Sequence, residues 1–181
     1  MTLDAFTTPR LFGERLTREH LPEIRRMHED ARVMATLGGI RTEAQTIDYL
    51  ERNLAHWDRY GFGLWIVRDA ARDRIVGRAC VRHLDVEGAA EVEIGYALYP
   101  EWWRQGLATE IANKCLAIGR GDLGLRSLVA VTLPTNLGSR RVMERAGLAY
   151  ERDFMHAGMP HVLYRTATIA YSSSASTVTS A

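Results

Sequence analysis

The sequence predicts an α/β domain in which helices cover both faces of a mixed sheet of about seven strands. Hydrophobic periodicity gives the element order β-α-α-β-β-β-α-β-α-β-β. The strand, helix and strand between residues 90 and 132 form a βαβ unit, so these two strands should be parallel. The remaining strands follow one another through short turns and should be antiparallel. A mixed sheet of this kind buries both of its faces against helices.

The first half of the chain begins with a strand at 10–16. Thr17 then caps a helix whose apolar residues recur at helical spacing. Thr42 and Gln45 form a capping-box pair that opens a second helix, and Gly61 ends it. The predicted strands that follow lie at 63–69, 75–84 and 90–98, the first two as a hairpin.

The second half of the chain predicts two helices and three further strands. Proline at position 100 ends the preceding strand because it cannot donate to a ladder. Asn136 is a favourable N-cap for the last helix. The predicted ranges are a helix at 106–118, a strand at 127–132, a helix at 136–148, and a hairpin of strands at 149–156 and 161–166.

Length and composition favour one domain, which we place at residues 1–170, followed by a low-complexity tail at 171–181 that we expect to be mobile. The formal net charge of +1 gives no bulk attraction to nucleic acid or to a membrane surface. We expect neither as a partner, since the chain also lacks the ~18–20 consecutive apolar residues of a membrane span. The two cysteines, Cys80 and Cys115, give neither a disulfide framework nor a metal spacing. These features indicate a cytoplasmic protein without a metal.

The stretch 91–113 carries the clearest binding signal. A strand, a short loop closing on Gly106 and a helix follow one another there. The first N–H groups of a helix lack intrahelical partners and carry the positive end of the helix dipole. Gly106 lets the backbone approach a ligand closely, Ala108 keeps the loop tight, and Thr109 adds a hydroxyl. This arrangement is typical of a phosphate site, although a plain tight turn would look similar.

Three stretches together carry a family resemblance. They read "TPRLFGERLTREHLPE", "EVEIGYALYPEWWRQGLATEIA" and "NLGSRRVMERAGL". In order and spacing the chain resembles the GNAT superfamily of acyl-CoA-dependent N-acetyltransferases over about residues 9–166. It looks most similar to the RimJ/RimL type, which acetylates N-terminal α-amines of ribosomal proteins. The resemblance implies the GNAT fold, with the parallel strands 90–98 and 127–132 splayed apart.

The resemblance also implies acetyl-CoA as co-substrate. The family's phosphate loop reads Gln/Arg-x-x-Gly-x-Gly/Ala; Gly106 and Ala108 match it, whereas Trp103 departs from its first position. Asn136 and Ser139 match the late Asn-x-x-Ser near the pantetheine and thioester. The implied contacts fall into two sets, for the pantetheine arm and for the pyrophosphate. They are Tyr96, Ala97 and Leu98 for the arm, and Arg104, Gln105, Gly106, Leu107, Ala108 and Thr109 for the pyrophosphate.

Acyl transfer to an amine needs a base, because only a neutral amine attacks a thioester. Glu93 matches the acidic residue of the family segment and is the first candidate, acting directly or through a water; it could equally be an ion-paired strand residue. An N–H such as that of Leu98 could bind the oxyanion. Many family members place a tyrosine proton donor seven residues after the late Asn, where this chain has Met143. Ser139 is the candidate to replace this proton donor, although it could instead be a helix cap or a cofactor contact. Tyr96, Tyr99 and Tyr164 are further candidates for the proton donor.

The acceptor is left open by the sequence. A protein N-terminal amine, a small amine such as an aminoglycoside, polyamine or amino acid, and a non-catalytic acyl-CoA-binding module all fit the motifs. The acceptor pocket is expected from the loop after the first helix, the second helix and the hairpin at 157–160. We expect a monomer or a homodimer.

Overall fold

One mixed sheet of eight strands forms the centre of the computed structural model, which describes residues 3–71 and 73–167. The strand order across the sheet is β1-β2-β3-β4-β5-β6-β8-β7. The strands are β1 Ala5–Thr7, β2 Leu11–Arg15, β3 Leu64–Asp69, β4 Ile75–Val86, β5 Ala89–Leu98, β6 Val129–Thr132, β7 Leu148–His156 and β8 Met159–Thr166. The strand that the sequence analysis missed is β1, whose three residues are too few to show an alternating pattern.

Five α-helices lie on this sheet within the described residues: α1 Leu21–Glu29, α2 Ala31–Met34, α3 Glu43–Tyr60, α4 Leu107–Ala117 and α5 Leu137–Arg145. The first helix differs from its prediction. A 3-10 turn follows Thr17, and the helical run is divided at Asp30, whose side chain accepts from the N–H of Arg32 and caps α2. The reciprocal Thr42 and Gln45 bonds that open α3 confirm the predicted capping box.

The helices cover both faces of the sheet, as predicted. Successive side chains of a strand point to opposite faces, so Tyr96 and Ala97 of β5 mark the two sides. The hydroxyl of Tyr96 contacts Ser139 of α5. The strand neighbour of Ala97 is Arg78 of β4, whose guanidinium lies over the ring of Tyr49 in α3. The core therefore has two layers, one under α1 and α3 and the other under α4 and α5.

The parallel pair is β5 and β6, and it separates almost at once. These strands share a single register position, Glu93 with Val129, although β5 continues to Leu98 and β6 to Thr132. Beyond Glu93, β6 pairs only with β8. The predicted splayed parallel pair is confirmed, and it leaves an opening in the middle of the sheet.

The predicted tail at 171–181 lies outside the described residues. In the part of the chain that the structure describes, no helix has both the length and the apolar character that a membrane crossing requires.

Candidate active site

The backbone of β5 presents free polar groups to the opening beyond Glu93. The N–H of Tyr99 donates to the carbonyl of Val76 at 3.0 Å, so alternate residues from Tyr99 backwards bond to β4. By this alternation the main-chain groups of Tyr96 and Leu98 point to the side of β6, where pairing has ended. An amide-bearing arm can therefore bond to them as another strand would.

Trp103 covers the end of this opening. Its indole Nε1 donates to the carbonyl of Leu98 at 2.8 Å, and the residue is 44% exposed. The residue that departs from the family's phosphate-loop pattern thus satisfies the last carbonyl of β5. The N–H of Leu98 is not used by this contact.

The loop after β5 ends in a helix start with free N–H groups. Arg104 and Gly106 both have left-handed backbone conformations, with φ of 59° and 77°. The N–H of Glu110 bonds to the carbonyl of Gly106 at 3.1 Å, so the N–H groups of residues 107–109 precede the first such bond of α4. The predicted residues Arg104 to Thr109 therefore form a helix start, directly beside the opening, whose N–H groups are of the kind that hold anions in other proteins.

Arg10 is a neighbour of this loop that the sequence analysis missed. Its Nη1 donates to the carbonyl of Gln105 at 2.9 Å, and its Nε donates to Oε2 of Glu110 at 2.7 Å. Burial acts to raise the pKa of Glu110, but hydrogen bonds from Thr8 and Arg10 outweigh it and the pKa is lowered. Arg10 therefore balances an acidic charge that would otherwise oppose anion binding. Its position inside the first matched stretch, "TPRLFGERL", was the available signal.

Two hydroxyls meet on the α5 side of the sheet. The hydroxyl of Tyr96 lies 3.1 Å from Oγ of Ser139 and 3.2 Å from its carbonyl oxygen. Asn136 caps α5, accepting from the N–H of Ser139 at 3.1 Å. Burial raises the pKa of Tyr96 to about 12, so this hydroxyl keeps its proton. Met143, in the position of the usual tyrosine, is only 2% exposed and faces the core.

Glu93 lies on the opposite face of the sheet, 4% exposed and ion-paired with Nε of Arg82. The charge of Glu93 is the main reason that the pKa of Arg82 is raised. Arg82 was not singled out from the sequence, because only the register of β4 against β5 makes the two residues neighbours. The ion pair fits the structural alternative for Glu93, and its role as a base stays a prediction.

The hydroxyls of Tyr99 and Tyr164, the other candidate proton donors, form hydrogen bonds away from Ser139. The hydroxyl of Tyr99 donates to the carbonyl of Glu23 at 2.9 Å. The hydroxyl of Tyr164 donates to Oε1 of Glu144 at 3.0 Å and accepts from Nε of Arg140 at 3.0 Å. Of the tyrosines considered, Tyr96 is therefore the one that the structure places with Ser139.

Among the described residues, no group of three or more His, Cys, Asp or Glu side chains could hold a metal ion. The site instead combines a row of backbone groups along β5, a helix start with free N–H groups, a pair of hydroxyls and a buried carboxylate. The shape and polarity of this arrangement suit a long, amide-containing molecule with a phosphate group.

Comparison with known proteins gives the family. Residues 10–149 match the domain family described as "Acetyltransferase (GNAT) domain". The chain belongs to the GNAT acetyltransferase family, whose members use acetyl-CoA. The Bacillus subtilis protein YkkB is 28% identical over 138 residues, which are 76% of this chain and 80% of that protein.

Solved structures share the fold. An acetyltransferase from Agrobacterium tumefaciens superposes with a TM-score of 0.80 at 23% identity, covering 91% of this chain and 95% of that one. RimL, an α-N-protein acetyltransferase of ribosomal L7/L12 in complex with coenzyme A, gives a TM-score of 0.72 at 15% identity, covering 87% and 94%. These identities are too low to carry an acceptor from one protein to the other.

Proposed function

We propose that this enzyme transfers the acetyl group of acetyl-CoA to a primary amine by direct attack in a ternary complex. The observation that supports this most is the separation of β5 from β6 beyond Glu93, immediately beside the helix start at 104–109. An opening with one edge of free backbone groups and a phosphate site at its end suits a phosphopantetheine chain.

The residues present fit acetyl-CoA, which would supply an activated acyl group. Main-chain groups of Tyr96 would bond to the pantetheine amides, and Leu98 would contact the acyl end through its N–H, with Ala97 between them. The N–H groups of Arg104, Gln105, Gly106, Leu107, Ala108 and Thr109 would hold the pyrophosphate. Asn136 would fix the first turn of α5, so that Ser139 borders the thioester end.

In this proposal Glu93 accepts the proton of the acceptor amine, directly or through a water. The ion pair with Arg82 fixes the position of this carboxylate on β5. The N–H of Leu98 stabilises the negative charge that develops on the acyl oxygen. Tyr96 and Ser139, on the other face, supply a proton to the leaving thiolate.

A covalent route through Cys115 has no support. Its side chain is 0% exposed, and burial raises the pKa of its thiol. A buried neutral thiol is a poor nucleophile. Direct transfer between the two substrates therefore needs the fewest assumptions.

Two acceptor classes follow. The RimL likeness suggests a protein N-terminal amine. A small amine is the second candidate, favoured by the buried Arg78 and the half-buried Arg41, which lie on the Glu93 side of the sheet. We propose that the enzyme acts in the cytoplasm as a monomer or homodimer.

The proposal is tested by measuring CoA release with a panel of peptides, amino acids, polyamines and aminoglycosides. Turnover on at least one amine is expected, and it should fall in both Glu93→Gln and Ser139→Ala. Tight acetyl-CoA binding without turnover on any amine would instead indicate a non-catalytic acyl-CoA-binding module.

A further inference from the structure

The face of the sheet that carries Glu93 also carries Arg78 of β4, and Arg78 and Arg41 stack on the same tyrosine. The Cζ atoms of Arg41 and Arg78 lie 4.9 Å and 5.3 Å from the ring centroid of Tyr49. We call Arg41 and Arg78 the arginine pair. Arg78 and Arg82 are four residues apart on β4, so the arginine pair and the Glu93–Arg82 ion pair share one face.

Within the part of the chain that the structure describes, the arginine pair has no counter-ion. Other arginines of the sheet do have one: Arg68 bonds to Glu14 at 2.5 Å, and Arg165 bonds to Glu91 at 2.8 Å. Among the described residues no carboxylate oxygen lies within 4.0 Å of a side-chain nitrogen of Arg41 or Arg78. A buried cation without a partner is costly, so such groups are usually paired in folded proteins.

Three buried polar atoms around the arginine pair also lack hydrogen-bond partners. They are Nε of Arg78, the hydroxyl of Tyr49 and Nε2 of His28. The His28 and Tyr49 rings lie 4.9 Å apart, and Arg78 is 7% exposed. Unsatisfied buried groups are uncommon in folded proteins, and three at one place make this cluster a candidate ligand site.

The electrostatics specify the sign of that ligand. Burial, followed by the charges of Arg41 and Arg78, lowers the pKa of His28 to about 3, so His28 stays neutral. Burial also lowers the pKa of Arg41, and Arg78 adds to this effect by repulsion. The two guanidinium groups are donors with excess positive charge, and a compact anion would complete the site.

We propose that the arginine pair binds the carboxylate of the acetyl acceptor, and that the acceptor is a small primary amine of the amino-acid type. This inference rests on the proposed transferase activity. In the proposed complex the amine faces Glu93, and Arg78 and Arg41 hold the carboxylate.

The same charges disfavour the other small acceptors. Polyamines and aminoglycosides are cations, and the arginine pair repels them. A peptide N-terminus carries no carboxylate beside its amine, so it offers no anion to the arginine pair. Because Arg78 is buried, the anion that it binds must be compact.

The test compares each of a panel of L-amino acids with its own carboxamide, which keeps the amine and removes the negative charge. In the wild type we expect kcat/KM to favour the acids by about tenfold to a hundredfold. In Arg78→Met and Arg41→Met this preference should vanish through a higher KM for the acids. Arg59→Met is the matched control, because Arg59 also stacks on a tyrosine, at 5.0 Å from Tyr60, but is exposed.

A binding measurement separates this inference from the proposed activity. Calorimetric titration of the CoA-bound protein with the preferred amino acid should give binding in the wild type and none in Arg78→Met. Carboxamides, spermidine or neutral peptides acetylated as well as or better than the acids would overturn the inference and leave the transferase proposal intact. Binding of acids without CoA release would support the anion site and refute the activity. The wild-type comparison of acid with carboxamide holds even if Arg78→Met fails to fold.

Discussion

The hydroxyl of Tyr96, at the end of β5, lies 3.1 Å from Oγ of Ser139 in the first turn of α5. Two elements that are 43 residues apart in sequence thus place two hydroxyls on one side of the opening between β5 and β6. Glu93 lies on the other face of the same strand, three residues earlier. The proposed proton acceptor and the proposed proton donor therefore lie on opposite faces of the sheet, beside the opening.

Removal of the tyrosine hydroxyl should slow acetyl transfer. Tyr96→Phe is expected to lower kcat by about a hundredfold, because general acids typically contribute 10²–10⁴-fold. Ser139→Ala should cost less, since the hydroxyl of Tyr96 still reaches the main-chain carbonyl at position 139 at 3.2 Å. Tyr99→Phe is the control: its hydroxyl bonds to Glu23, so about 1 kcal/mol of stability is lost without a change in kcat. Equal kcat in Tyr96→Phe and wild type would argue against this donor.

Substitution of Glu93 should impair the enzyme most at neutral pH. Glu93→Gln is expected to lower kcat/KM by about a hundredfold near pH 7, and the deficit should shrink as pH rises past ~8, where α-amines lose their proton unaided. Glu91→Gln provides the control, because Glu91 lies on the same strand and is ion-paired with Arg165 at 2.8 Å. Both variants should lose stability, and a pH-rate profile should distinguish them. If both show the same profile, Glu93 is only an ion-pair partner.

A side chain at position 106 should weaken acetyl-CoA binding. Gly106 has φ of 77°, and a left-handed conformation costs a non-glycine residue about 1–2 kcal/mol. Relief of that strain would move the N–H groups at the start of α4, so Gly106→Ala should raise the KM for acetyl-CoA several-fold. Gly147→Ala introduces the same kind of strain at φ of 86°, after α5. It should lower the melting temperature similarly and leave that KM unchanged.

The folded protein should become less stable as the pH falls, partly because His28 resists protonation in the folded state. The pKa of His28 is about 3 in the folded protein against an ordinary value of 6.5, so the unfolded chain binds this proton more readily. Below pH 6.5 the free energy of unfolding should therefore decrease as pH falls towards 3, by at most ~1.4 kcal/mol per pH unit from this residue. His28→Gln should have a flatter profile in urea titrations between pH 6.5 and 4. Parallel profiles for the variant and the wild type would contradict the assignment.

The succession of the seven predicted strands, the parallel pair and the α3 capping box were predicted correctly from local patterns, whereas the phosphate loop stays a prediction. These features depend on residues close together in the chain, where periodicity, capping residues and Gly106 act directly. β1 was missed because a strand of three residues is too short to show an alternating pattern. The division of the first helix was missed because Asp30 acts as the N-cap of a separate helix, α2.

By itself the sequence determined the fold, the family and the loop expected to hold the pyrophosphate, because helix and strand periods and short motifs are local properties of a chain. The tertiary structure alone decided which distant side chains meet. It brought Arg10 to the phosphate loop, Arg82 to Glu93, Tyr96 to Ser139, and Arg78 to Tyr49. These contacts depend on strand register and on how helices lie across the sheet, and a one-residue shift in register would place each strand residue on the opposite face.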